Sequence, residues 1–185
     1  MNLKYIKKPT QYDGSQLRAH WILENFSLES DSIVSFCGGC DVSAHMVDLE
    51  DVLKKDFIFS ENMLHFIIEH FDSDLEKAIY RQRLFVSLLH QELINVTKNK
   101  FHFERKGDDI YFKNYKMTVS IATSSPVSTL IHTGINIISK NTPVPTKGLA
   151  DFKINPEKFA LSVMKKYVEE LEEIKWARSK VKAVK

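Results

Sequence analysis

Three groups of residues have types and spacing suited to holding an anionic ligand. Lys116 follows the turn Lys113-Asn114-Tyr115 and leads into a strand of small residues. A lysine there can pair with a carboxylate or phosphate and stabilise charge developing on a carbonyl, although many lysines at hairpin turns only face solvent. His132, Gly134 and Asn136 stand two residues apart and share one face of a strand. The glycine withdraws a side chain from that face and would admit a ligand against the backbone, whereas a solvated polar face accounts for His132 and Asn136 but not for the glycine. The third group, Cys37-Gly38-Gly39-Cys40, suits a turn whose backbone N–H groups face a ligand, and equally an ordinary loop or a redox pair.

Other candidates carry simpler readings. With Asp41, His45 and Asp48, the cysteine pair offers three or four zinc ligands, but a closed structural site usually draws on two such pairs. No metal is assigned, and the two thiols are expected to be reduced. Arg18 and His20 follow the polar turn Tyr12-Asp13-Gly14-Ser15, where an anion could rest on free N–H groups at a helix start; Asp13 or Ser15 as a plain helix cap is the simpler use. His65 and His70 are five apart and do not share a helical face, which argues against a metal pair. Arg81 and Arg83 are accounted for by charge pairing on a helix surface.

The elements that must position these groups follow from hydrophobic periodicity. Alternation of Ile110 and Phe112, of Met117, Val119 and Ile121, and of Ile131, Thr133, Ile135 and Ile137 predicts three adjacent antiparallel strands. Hairpins run from 101 to 138, with turns at 106–108, 113–115 and 124–126. Residues 2–7 and 32–36 read as strands and 17–26 as a helix. Leu64, Ile67, Ile68 and Phe71 fall at helical spacing and predict an amphipathic helix after Ser60. Ser73 and Glu76 form a capping box for a long helix to about Val96, with Leu75, Ile79, Val86, Leu89 and Leu93 inward. Residues 141–148 read as a loop passing over one face. Asn155 and Pro156 open a final helix that buries Ala160, Val163, Met164, Tyr167, Val168, Leu171 and Ile174. The fold class is therefore α+β, a mainly antiparallel mixed sheet covered by helices. One domain spans 1–185, with the last helix at 155–177 and a basic tail at 178–185.

At 185 residues, 43% hydrophobic and 27% charged, the composition is that of an ordinary globular chain. A net charge of +2 with dispersed basic residues argues against a nucleic-acid partner. No apolar run reaches the roughly 20 residues of a membrane span, and the N-terminus has no signal-peptide segment. A cytoplasmic location is expected, with a small-molecule ligand as partner and a homo-oligomer left open.

The residues from Lys116 to Asn136 resemble the core of the lipoate and biotin protein ligase and octanoyltransferase superfamily, in which a strand reads lysine, apolar, small, small and the next carries His-Gly-x-x-x-Asn. The resemblance implies a catalytic role for Lys116, with Ser120 near the small residues of the pocket and His132, Gly134 and Asn136 near the second motif. Gly38 and Gly39 take the place of the superfamily's glycine loop. The arginine pair that normally flanks that loop is absent, as is any cysteine beyond Cys40 to match the octanoyltransferase nucleophile. Over nearly the whole chain, the phrases 12–21, 63–71 and 120–132 resemble an uncharacterised domain-of-unknown-function family (DUF366-like), whose implied fold is that of the class II synthetases and biotin-lipoate ligases.

Three functions follow, the third being a metal-dependent hydrolase or redox protein built on Cys37, Cys40 and His45. The first is binding of a small carboxylate or nucleotide, extending to an acyl ligase or transferase that would need ATP and Mg, although no motif here demands either by itself. The second is a non-catalytic ligand-binding or regulatory domain on the same fold, which the missing arginines favour. Chemistry must be argued from the site, because a fold does not carry it.

Overall fold

The computed structural model describes every residue except 43, 44, 55, 56, 139, 140, 141, 143 and 185. In chain order the elements are β1 (Asn2–Ile6), α1 (Trp21–Phe26), β2 (Ser32–Val42), α2 (Leu49–Lys54), β3 (Ile58–His70), α3 (Leu75–Val96), β4 (Phe103–Lys106), β5 (Asp109–Phe112), β6 (Tyr115–Lys116), β7 (Thr118–Ser124), β8 (Thr129–Ile138), a 3₁₀ turn (Leu149–Phe152) and α4 (Pro156–Lys180). The main sheet has the order β1-β2-β3-β8-β7, and β4-β5-β6 form a small second sheet. Only β1 and β2 run parallel; the other neighbours are antiparallel. The mixed, mainly antiparallel sheet and the three hairpin turns agree with the sequence reading, although β5 and β6 belong to the small sheet instead of continuing the main one.

The segment after Ser60 is a strand, not a helix. β3 lies between β2 and β8, and all its residues from Met63 to His70 are buried. A strand covered on both faces loses the polar alternation that would identify it, and its apolar residues fell on helical spacing by coincidence. In the strand they divide: Leu64, Phe66 and Ile68 join the core under α3 and α4, while Met63 and Ile67 join a second core on the opposite face. Phe85, Leu89, Phe159 and Tyr167 bury fully against the first face, each contributing about 1.5–3 kcal/mol. Tyr12, Ile22, Val34 and Phe36 build the second.

The cap of α3 is Asp74, whose side chain accepts from the Lys77 N–H, not Ser73. Its inward stripe runs through Ala78, Gln82, Phe85, Val86, Leu89 and Leu93, leaving Leu75 and Ile79 exposed. Asn155 caps α4 through the Lys158 N–H with Pro156 in the first turn, as the sequence implied. That helix continues to Lys180, so residues 178–180 are helical, and Ile174 is exposed on it. The helix expected over 17–26 is confined to Trp21–Phe26, because His20 adopts a left-handed conformation (φ 65°) at its start.

The Cys37–Cys40 stretch is not a turn. It lies inside β2, with an irregularity in pairing between Gly38 and Cys40. Residues 10–12 run alongside, Thr10 N donating to Cys37 O (3.0 Å) and Tyr12 N to Gly39 O (2.9 Å). A Cβ on Gly38 would stand 1.9 Å from the Thr10 carbonyl oxygen, so this glycine serves the close approach of two backbones. Among the described residues no helix is long and apolar enough to cross a membrane.

Candidate active site

On the sheet face away from α3 and α4, a cavity of about 530 Å³ opens over β3, β8 and β7. Its floor carries Ser60, Met63, His132 and Asn136, while Ser120 borders it at the β7 edge of the sheet with its hydroxyl turned to α3. One wall comes from the end of β2 and the connection to β3, including Val42, Met46 and Phe57; the opposite wall holds Asp109 and Lys116 with Thr146. Four of the residues expected from the sequence therefore meet: Lys116, Ser120, His132 and Asn136.

Lys116 Nζ lies 2.8 Å from Asp109 Oδ2 across the β5–β6 hairpin. Burial lifts the Asp109 carboxyl above the usual carboxylate range, and Lys116 only partly offsets this. Burial also works against the Lys116 charge, but the hydrogen bond and attraction from Asp109 outweigh it and hold the ammonium above its ordinary value. The lysine is thus a positioned cation. Ser120 Oγ is tied to Gln82 Nε2 (3.0 Å) and Thr133 Oγ1 (2.9 Å). Asn136 Oδ1 accepts from Ser60 Oγ at 2.8 Å.

His132 stacks on Tyr12, ring centroids 3.8 Å apart, and its Nε2 lies 3.1 Å from His65 Nδ1. His65 Nε2 in turn lies 3.3 Å from the Gly38 carbonyl oxygen. Burial lowers His65 to about 4. It also holds His132 well below the normal histidine range, with the neighbouring His65 adding to the effect. Both rings are neutral near pH 7.

The remaining expected residues are placed elsewhere. Gly134 is paired with His65 and Val119 but does not line the cavity; its missing side chain is replaced by Met63, whose Cε would lie 2.8 Å from an added Cβ. Gly38 and Gly39 are held in β2 by the backbone of residues 10–12 and do not border the cavity. Arg18 is paired with Glu24 on the surface, and the His20 N–H donates to Glu69 Oε1 (2.9 Å); neither borders the cavity. Asp13 accepts from Ser15 N and Oγ in a local turn. Both cysteines are free. Cys37 packs toward α4, while Cys40 belongs to the second core, its thiol pushed up to about 12 by burial. Among the described residues no three His, Cys, Asp or Glu side chains are grouped to hold a metal ion. Tyr12, Ser60, Met63 and Asp109 were not singled out by sequence, and His65 was weighed only as a metal partner of His70; its place here depends on its register opposite Gly134.

This layering defines a class, the fold of the biotin and lipoate protein ligases. Biotin protein ligase from Aquifex aeolicus superposes with a TM-score of 0.61 at 17% identity, covering 95% of this chain and 70% of the ligase. A T. acidophilum protein assigned as a lipoate protein ligase, with bound lipoic acid, gives 0.62 at 11% identity over 92% of this chain and 86% of its own. At these identities the likeness is one of fold. The chain belongs to the family described as domain of unknown function DUF366, matched over residues 1–182. An uncharacterised protein of Methanocaldococcus jannaschii is 36% identical over 182 residues, 94% of this chain and 81% of the relative. A protein of unknown function from Pyrococcus horikoshi superposes with a TM-score of 0.90 at 35% identity, covering 99% of this chain and 100% of that one.

Proposed function

We propose that the cavity binds a small organic acid with an apolar body, its carboxylate held by Lys116. The observation that carries this reading is Lys116 on the wall of a cavity whose other lining includes Val42, Ile58, Val119 and Ile121. An ammonium has three donors, so the pairing with Asp109 leaves room for a second oxygen partner. Structures of the same fold hold biotin in the Aquifex aeolicus ligase and lipoic acid in the T. acidophilum protein, both acids with apolar bodies. Residues 1–185 serve as one ligase-like domain in this reading.

Calorimetric titration with octanoate, lipoate and biotin tests it. Replacing Lys116 by Ala should weaken binding of an acid by about 1.5–3 kcal/mol, the range for a charge-assisted hydrogen bond. Equal affinity for the two proteins would remove Lys116 from the site.

A second reading, acyl ligation, draws on the placement of Lys116, where an ammonium can stabilise charge on a carbonyl under attack. It requires ATP and Mg, and Gly38 and Gly39 offer no cradle for a nucleotide because their backbone is engaged in β2. Release of pyrophosphate from ATP in the presence of a bound acid supports ligation; acid binding with no ATP consumption leaves a non-catalytic binding domain.

A further inference from the structure

The two buried histidines fix the direction of a hydrogen-bond chain. The Gly38 carbonyl can only accept, so His65 Nε2, 3.3 Å away, carries the proton of that neutral ring. His65 Nδ1 is then a lone pair, and the contact to it at 3.1 Å requires a proton on His132 Nε2. This leaves His132 Nδ1 unprotonated. The opposite tautomers would set a lone pair against the Gly38 oxygen, and protonating both rings would place two charges side by side in a buried site.

His132 Nδ1 faces open space. No described residue donates to it, and it is not among the described side-chain polar atoms that are sealed from solvent without a hydrogen-bond partner. His132 borders the cavity, so the lone pair reaches into it. Tyr12, stacked on the ring, holds its plane. By the same reasoning Asn136, whose Oδ1 is occupied by Ser60, turns its Nδ2 donors to the cavity.

The two ends of the cavity therefore have opposite character. Lys116 lies at the Asn136 end, since Asn136 N donates to Met117 O at 2.9 Å. Asn136 lies four steps along the strand from His132, roughly 13 Å at about 3.3 Å per residue, with the Met63 side chain over Gly134 between them. Donors cluster at the lysine end, and a fixed acceptor stands at the other.

We propose that the His132 end selects a ligand group that donates a hydrogen bond, so that the acid held at Lys116 carries an N–H or O–H at its far end. This rests on the reading of the cavity as a carboxylate site. A plain alkyl end would leave the lone pair unpaired in a buried place, and a second carboxylate would meet it with like polarity. His65 is a positioning residue, acting only through the tautomer of His132.

The test compares three medium-chain probes by calorimetry: a fatty acid, its ω-hydroxy derivative and the matching dicarboxylate. The hydroxy acid should bind about tenfold or more tighter than the plain acid, as expected when a buried acceptor gains its partner, and the dicarboxylate no tighter than the plain acid. In His65→Leu, His132 can move its proton to Nδ1, and the preference for the hydroxy acid should collapse. Nitrogen-15 spectra of the imidazoles in the parent protein report the tautomer without any ligand, and a protonated Nδ1 on His132 overturns the proposal alone. Equal binding of plain and hydroxy acids overturns it while the carboxylate site stands. If none of the acids binds, the carboxylate site falls and the proposal with it.

Discussion

Acidification should unfold this protein through its neutral buried histidines, in a pH window set by His65. Its folded-state pKa is lowered to about 4 by burial, against about 6.5 in an unfolded chain. Between these values the unfolded state binds more protons than the folded one, so stability is fully present above about pH 6.5 and is lost as the pH falls toward 4. At about 1.36 kcal/mol per pH unit, the loss from His65 alone is about 2 kcal/mol by pH 5 and about 3 kcal/mol by pH 4. His132 and His70 are shifted the same way by burial and steepen the fall. Asp31 belongs to a lower window. The hydrogen bond from His70 and the Phe71 N–H hold it near 2, so its contribution is present above about 3.9 and lost only as the pH falls further. Urea unfolding followed by circular dichroism at pH 7, 6, 5 and 4 measures the slope, and His65→Leu should flatten it. An unfolding free energy that stays constant from pH 7 to pH 5 would refute the neutral, buried pair and the hydrogen-bond chain built on it.

Other outcomes follow from packing and electrostatics. Gly38→Ala should destabilise the fold by more than about 2 kcal/mol in denaturant melts, because the Thr10 carbonyl stands where the methyl would go and backbone must move. Gly134→Ala should cost less, about 1 kcal/mol, while pushing the flexible end of Met63 into the cavity; Met63→Ala in the same chain should restore ligand affinity, as a double-mutant cycle would show. Asp109→Asn should strengthen binding of a small carboxylate by releasing Lys116 from its ion pair, read by calorimetry. Cys40, with its thiol raised to about 12, should resist an aromatic disulfide reagent at neutral pH until the protein is unfolded.

The hairpins from Phe103 to Ile138 were legible because they obey local rules: a period of two, and turn residues at 107, 113–114 and 124–126. The N-cap of α4 was legible for the same reason. β3 was not, since a strand buried on both faces has no alternation to read, and Leu64, Ile67 and Ile68 suit either period. Gly38 looked like a turn residue because sequence cannot show that residues 10–12 will cross it. The site was half legible. His132 and Asn136 could be placed on one face from spacing alone, whereas the role of Gly134 depends on Met63, a residue 71 positions away in the chain. His65 was judged only as a metal ligand with His70; on β3 it is a cross-strand neighbour of Gly134 in contact with His132.

The cavity's two sides are built from unequal material. Its floor is the middle of a five-stranded ladder, where Ser60, Met63, His132 and Asn136 are locked by pairing and by the helices behind, so a substitution there disturbs folding and recognition together. The wall formed by Met46, Val47 and Phe57 belongs to the link between β2 and β3 and carries no rung of the sheet. That division makes ligand breadth evolvable separately from ligand polarity: relatives can widen or narrow the slot by rewriting the link, while the donor and acceptor ends stay where the strands set them.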